Sequence, residues 1–212
     1  MHVRNNILSF KASIQPFNLD FSTIQKKCFE DQKLLVDQIK KQIKLNTGQS
    51  FIGVEKGENA VNVEIAQENF LHHLQEYAAS IDEENIEQIY KETQQTRFNH
   101  LIEIHNNVGV YLPIFFFFPI HIARKYNSFP IFVGSSVKLA CELQEIDKIL
   151  KAKNSMDLGN MDDKFFASEE DIEDYEISYE DLDNFWPKFN YTILDKLIQK
   201  SLKQKLPIFI YS

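Results

Sequence analysis

The sequence has few cysteines, and none in a pattern that would place it in a chemical site. Cys28 and Cys141 are the two cysteines among 212 residues. Two thiols so far apart predict neither a metal centre nor a redox motif, and they make no disulfide framework. The first residues also lack the long apolar core of a signal peptide. We therefore expect a cytoplasmic protein with no metal and no cofactor.

Long apolar runs are missing as well. The longest apolar stretch, from Val108 to Ala123, is interrupted by Pro113, Pro119 and His121. A membrane helix needs about 20 mostly apolar residues without such breaks. We expect a pair of buried strands here and no membrane partner. An assembly role through the run Phe115–Phe118 stays open as an alternative.

Apolar residues nevertheless make up 43% of the chain and include 18 phenylalanines, enough for a hydrophobic core. Strand-like patterns lie near both ends and in the middle, at residues 8–14, 110–118, 129–133 and 206–211. The last of these is too apolar to remain in water, so we expect it to pair within the sheet. Helical patterns separate these strands without strict alternation. The sequence predicts an α+β fold, a small mixed sheet with several helices packed on it, in one domain over residues 1–212.

Local signals place some helix boundaries and leave one segment ambiguous. Ser22 and Gln25 resemble a capping box, and Ser178 with Asp181 has the pattern of a helix start. Pro187 should kink or split the helix that follows. Residues 49–66 fit either a hairpin or the start of a helix, because Val61, Val63 and Ile65 suit a strand while Val61, Ile65 and Ala66 suit a helix.

The formal net charge is −8, from 31 acidic and 23 basic residues, and it is concentrated in one segment. The window from Asp162 to Asp183 holds eleven acids and one base, Lys164, for a net charge of −10. The rest of the chain then carries +2. This acidic segment dominates the electrostatics of the protein.

Apolar residues interleave with these acids, which is unusual for a purely solvating tail. We expect an ordered segment with its acids outward. Such a surface repels phosphate, so it argues against nucleic acid as a partner and favours a basic protein partner. A solvated loop remains the plainer alternative. The predicted partner-binding residues are Glu169, Glu170, Asp171, Glu173, Asp174, Tyr175, Glu176 and Trp186.

The function predicted from this surface is a protein-binding or inhibitory module. A bacterial immunity protein that covers the basic active site of a toxin would suit the charge distribution. Trp186 could anchor such a partner, although core packing also explains a tryptophan among aromatic neighbours. The oligomeric state stays open.

The alternative function is a small hydrolase-like enzyme. Ser135 and Lys138 match S-x-x-K, a spacing at which the amine could activate the hydroxyl. The plainer reading is that Ser135 or Ser136 caps the helix that follows. Gly134 before that helix could expose N–H groups to an anion. A histidine cluster is the other candidate for such an enzyme, and we assign no catalytic residue.

Histidines are the remaining candidates for chemistry. His72 and Glu76 share a helical face, and His100 and His105 lie near Glu103. No metal-binding motif joins them, so we expect structural histidines and no metal ligands.

Overall fold

The structure is a computed structural model of the whole chain. It describes residues 9–15, 32–50, 61–67, 69–83, 86–87, 89, 96–104, 108–123, 130–153, 155–159, 164–178 and 184–211. The capping-box pair Ser22 and Gln25 lies outside these residues, and so do residues 51–60 of the ambiguous segment 49–66.

The described residues form seven strands and six helices. The strands are β1 (Phe10–Ile14), β2 (Val61–Ile65), β3 (Gly109–Leu112), β4 (Ile120–Ile122), β5 (Ile131–Ser135), β6 (Lys164–Ala167) and β7 (Ile208–Tyr211). The helices are α1 (Gln32–Thr47), α2 (His72–Ile81), α3 (Asn99–Ile102), α4 (Ser136–Leu150), α5 (Glu169–Ser178) and α6 (Phe185–Gln204).

All seven strands belong to one mixed sheet in the order β4-β5-β3-β7-β1-β2-β6. The pairs β3–β5 and β2–β6 are parallel, and the other four pairs are antiparallel. The predicted α+β class with a mixed sheet is therefore confirmed. The apolar C-terminal segment forms β7, which lies between β3 and β1 and so pairs on both sides.

The sheet is covered on both faces. On one face Ile39 and Ile43 of α1 pack against residues such as Val110 and Phe209. On the other face the remaining helices bury a larger core that includes Phe189 of α6. Strand residues alternate between these two cores because successive side chains point to opposite faces.

Three local predictions need revision. The segment 61–65 is a strand, which decides the ambiguity over residues 49–66 in favour of β structure at its end. The predicted strand over residues 110–118 ends at Leu112, because Pro113 cannot continue the ladder and the phenylalanines form a loop. Pro187 lies in the first turn of α6, where its missing N–H has no helical partner to lose, so it does not split the helix.

Within the described ranges no helix is long and apolar enough to cross a membrane. The longest apolar stretch instead supplies β3, β4 and the loop between them.

Candidate functional site

The acidic segment is ordered where the structure describes it. Edge strand β6 leads into α5, whose start is fixed by a capping box between Ser168 and Asp171. The N–H of Asp171 donates to Ser168 Oγ at 3.1 Å, and Oδ2 of Asp171 accepts from the hydroxyl and the N–H of Ser168 at 2.6 and 2.8 Å. These bonds from Ser168 lower the pKa of the Asp171 carboxyl. The predicted start signature at Ser178 instead falls on the last residue of α5.

One face of α5 packs on the domain. Ile172 is buried, and Tyr175, one turn later, is half-buried with its ring 5.8 Å from that of Phe189 in α6. Residues three apart lie on the same helical face, so these two side chains define the inward side. The orientation of α5 on the protein is therefore determined.

Every acidic side chain of α5 is exposed. These residues are Glu169, Glu170, Asp171, Glu173, Asp174 and Glu176. Among the residues that the structure describes, none of them forms an ion pair with a lysine, arginine or histidine. The other acids of the segment, Asp162, Asp163, Glu180, Asp181 and Asp183, lie outside the described residues.

This charge distribution does not favour the helix itself. Acids in the first turn suit the positive end of the helix dipole, but α5 has no base in its last turn. Glu169 and Glu173, and likewise Glu170 and Asp174, are like charges at i, i+4, which destabilise a helix. The first-turn acids support the start of α5, but the acids beyond the first turn, Glu173, Asp174 and Glu176, gain nothing from the helix dipole and fit a binding surface.

Of the two predicted aromatic residues, Tyr175 belongs to α5 and Trp186 lies in the first turn of α6. Trp186 is half-buried, and its ring stacks on that of His73 with the centroids 5.5 Å apart. The ring of Phe185 meets Trp186 edge to face, with the centroids 5.1 Å apart. Burial is the main cause that lowers the pKa of His73. The ring centroid of Phe189 lies 5.8 Å from that of Tyr175 and 6.2 Å from that of Trp186. The eight predicted residues thus lie in one region, with six acids and Tyr175 on α5 and Trp186 connected to them through Phe189.

Ser135 and Lys138 are structural. Ser135 is fully buried, and its Oγ accepts the backbone N–H of Lys138 at 3.0 Å as the N-cap of α4. Its hydroxyl donates to the carbonyl of Ile114 at 2.6 Å, so its proton points to that oxygen and not to the amine of Lys138. A Cβ on Gly134 would lie 2.6 Å from the ring of Tyr111, so close packing explains that glycine. The capping interpretation is correct, and this turn holds no activated hydroxyl.

A buried polar network was missed from the sequence. Glu142 of α4 is 2% exposed, and its two oxygens accept the N–H groups of His100 and Leu101 at 3.2 and 3.0 Å. The hydroxyl of Tyr111 donates to the carbonyl of His100 at 2.7 Å. Burial raises the pKa of Glu142 to about 8 and lowers the pKa of His100 to about 4. Only the position of Glu142 beside the apolar stripe of α4 could have indicated its burial.

The fold and the site define an α+β protein that carries an anionic helix next to one edge of its sheet. Residues 54–210 match the family described as "Putative DNA-mimic protein", and the chain belongs to that family. The matched range contains α5 and all described elements from β2 to α6. No curated protein and no solved structure matches the chain.

The family overturns the function predicted from the sequence. An immunity-like module that docks a basic partner was wrong, and so was the hydrolase alternative, because the family points to mimicry of DNA and to DNA-binding proteins as partners. The error lay in one inference. Repulsion between carboxylates and phosphate argues against binding of nucleic acid by this surface, but it does not argue against imitation of nucleic acid.

Proposed function

We propose that the protein imitates the charged surface of DNA and binds a DNA-binding protein in place of nucleic acid, with α5 as the contact surface. The observation that carries this proposal is the set of six exposed carboxylates on one packed helix, none in an ion pair among the described residues. The family supports the same activity.

The charge density of α5 is comparable to that of a duplex. At about 1.5 Å per residue, ten residues span about 15 Å, so six carboxylates give one charge per about 2.5 Å of axis. Duplex DNA carries one charge per about 1.7 Å of axis. A protein surface that binds phosphates by their number and spacing would therefore find a similar density of negative charge on α5.

The carboxylates also form rows. Glu169, Glu173 and Glu176 follow one another at i, i+4 and i+7, and Glu170 and Asp174 form a second row beside them. Successive members at i, i+4 are about 6 Å apart along the axis. Carboxylates accept the same paired hydrogen bonds from arginine as phosphates do. Two anionic rows on a rigid support are thus a short substitute for two phosphate strands.

Tyr175 and Trp186 complete the proposed surface. Both residues are half-buried, Tyr175 on α5 itself and Trp186 on the neighbouring α6, so part of each stays accessible. Aromatic side chains with one buried side are typical anchors at interfaces, because little conformational freedom remains for them to lose. We propose that they add apolar contact beside the carboxylates.

The test is displacement from DNA. Proteins of the native host are bound to duplex DNA immobilised on cellulose, and the column is washed with this protein. The proposal expects it to release a set of DNA-binding proteins at constant salt. The triple variant Glu170→Gln, Glu173→Gln and Asp174→Asn should release at least tenfold less at equal concentration, because each lost charge removes a contact with a phosphate-binding residue.

A matched variant controls for net charge. Asp37→Asn, Glu83→Gln and Glu145→Gln remove three exposed acids that lie outside α5, so the net charge changes equally. This control should release proteins as the wild type does. Equal loss in both variants would show that overall charge, and not α5, is responsible. Absence of release by the wild type would refute the proposal.

A further inference from the structure

The loop between β3 and β4 divides its four consecutive phenylalanines between core and solvent. Phe116 is 4% exposed, and its ring lies 5.5 Å from that of His100. Phe115, Phe117 and Phe118 are 41%, 67% and 61% exposed. The rings of Phe115 and Phe117 meet edge to face with their centroids 4.9 Å apart, and Phe118 follows directly in the same loop. We name the three exposed residues the Phe cluster.

Buried donors fix the loop that carries the Phe cluster. The hydroxyl of Ser135 donates to the carbonyl of Ile114 at 2.6 Å, and Nε2 of His100 donates to the carbonyl of Phe117 at 3.1 Å. Both donor residues are fully buried. The rings are therefore held at the surface by polar groups of the core, and little backbone freedom is left to lose when the cluster is covered.

The Phe cluster and the acidic helix lie at opposite corners of the sheet. Strand β4 is one edge and β6 is the other, six strand spacings away, or about 29 Å at about 4.8 Å each. Strand β6 also runs opposite to β3, so α5 begins at the end of the sheet away from the loop. A molecule bound to α5 therefore leaves the Phe cluster uncovered.

The exposed area suits a contact between two copies. A phenylalanine side chain offers roughly 200 Å², so the three exposed fractions amount to roughly 340 Å² in one copy and roughly 680 Å² in two. The smaller stable interfaces bury about 1,200 Å² in total. The Phe cluster alone would supply more than half of this, and the adjoining prolines and edge strand β4 can add to it.

We propose that the Phe cluster is the contact between two copies of this chain, related by a twofold axis. Residues 113–120 contain no charged side chain, so this loop has nothing to offer a phosphate-binding surface or a lipid headgroup. An identical apolar loop complements it directly, as a twofold interface requires. The acidic helices would then lie on the far corners, where repulsion between two copies of net charge −8 is smallest.

The experiment is the molar mass of the full chain in solution, by sedimentation equilibrium over a wide concentration range. The wild type should approach twice the 24.9 kDa of one chain. In the double variant Phe117→Ser, Phe118→Ser, association should be at least a hundredfold weaker, and the protein should sediment as a single chain. The control, Leu45→Ser with Ile149→Ser, replaces two other exposed apolar residues, at 68% and 56%, and should sediment as the wild type does. Circular dichroism verifies that both variants are folded.

Several results would overturn this inference. The inference fails if the wild-type protein has the mass of a single chain at every concentration. It also fails if the double variant Phe117→Ser, Phe118→Ser still forms a dimer. A single chain that sediments with phosphatidylcholine vesicles through these residues would assign the cluster to a lipid surface instead. The inference is independent of DNA mimicry, because the serine variant should still release proteins from immobilised DNA through α5.

Discussion

Nδ1 of His100 accepts a hydrogen bond from the backbone N–H of Ser135 at 2.9 Å. The other nitrogen, Nε2, faces the carbonyl of Phe117, which can only accept, so Nε2 carries the single proton of a neutral ring. This one imidazole joins α3, the end of β5 and the phenylalanine loop. A protonated ring has no acceptor left for Ser135, so the contact requires neutral histidine.

The first prediction concerns pH. Burial lowers the pKa of His100 from 6.5 to about 4, so the unfolded chain takes up this proton before the folded one. The contribution of neutral His100 to the free energy of unfolding is therefore complete above about pH 6.5 and is lost as the pH falls towards 4. In His100→Gln the amide can replace both hydrogen bonds without titrating. The stability advantage of the wild type over this variant should shrink by about 2 kcal/mol from about pH 7 to about pH 4.5.

Urea unfolding at the two pH values measures this difference. Subtraction of the variant removes the contribution of the other titrating groups, Glu142 included, as long as the variant leaves their pKa values unchanged. A pH-independent difference between wild type and variant would contradict the role of His100.

The second prediction concerns Glu142, whose two oxygens accept N–H groups of His100 and Leu101. Glu142→Gln supplies one carbonyl oxygen and turns its amide NH₂ towards the other donor. One buried N–H is then unsatisfied, at a cost of about 1–3 kcal/mol in the free energy of unfolding. Glu145→Gln on the same helix is the control and should change stability much less, because the ion pair that it removes, with Lys148, is exposed to solvent. Equal behaviour of the two variants in urea would contradict the capping of α3 by Glu142.

Much of the fold is local and could be predicted. The alternation in β1 and the spacing of apolar residues in α4 are readable from neighbouring positions, and so is the serine cap at Ser135. The sheet order is not local, because β7 pairs with β1 across almost the whole chain. The contact of Glu142 with His100 spans 42 residues, so no sequence pattern indicates it.

In the candidate site, too, some features could be predicted from the sequence and others could not. The acids of α5 lie within eight residues of sequence, interrupted at Ile172 and Tyr175, and their exposure follows from their charge, so this exposure was predictable. Its meaning was not, because the same row of carboxylates suits a docking module and an imitation of phosphates. The capping box of Ser168 and Asp171 could have been found by its spacing and would have placed the helix correctly.

The third prediction separates stability from function on α5. Glu170→Gln, Glu173→Gln and Asp174→Asn remove the like-charge pairs Glu169–Glu173 and Glu170–Asp174, each of which costs a helix about 0.2–0.5 kcal/mol. The loss of Glu170 from the first turn also removes a favourable interaction with the helix dipole, which is of similar size. The triple variant should therefore unfold at nearly the same urea concentration as the wild type while it releases fewer proteins from immobilised DNA. A variant that lost stability together with binding would show that the carboxylates support the fold and not a partner.

The central claim is that this protein and DNA compete for one surface of a DNA-binding protein. The most direct measurement is the fluorescence anisotropy of a labelled duplex bound to a protein that the column experiment released. Added wild-type protein should return the anisotropy to that of free duplex, less effectively at higher salt, and the α5 triple variant should need at least tenfold more protein. Anisotropy that stays high or rises, because duplex and protein bind together, would contradict the account.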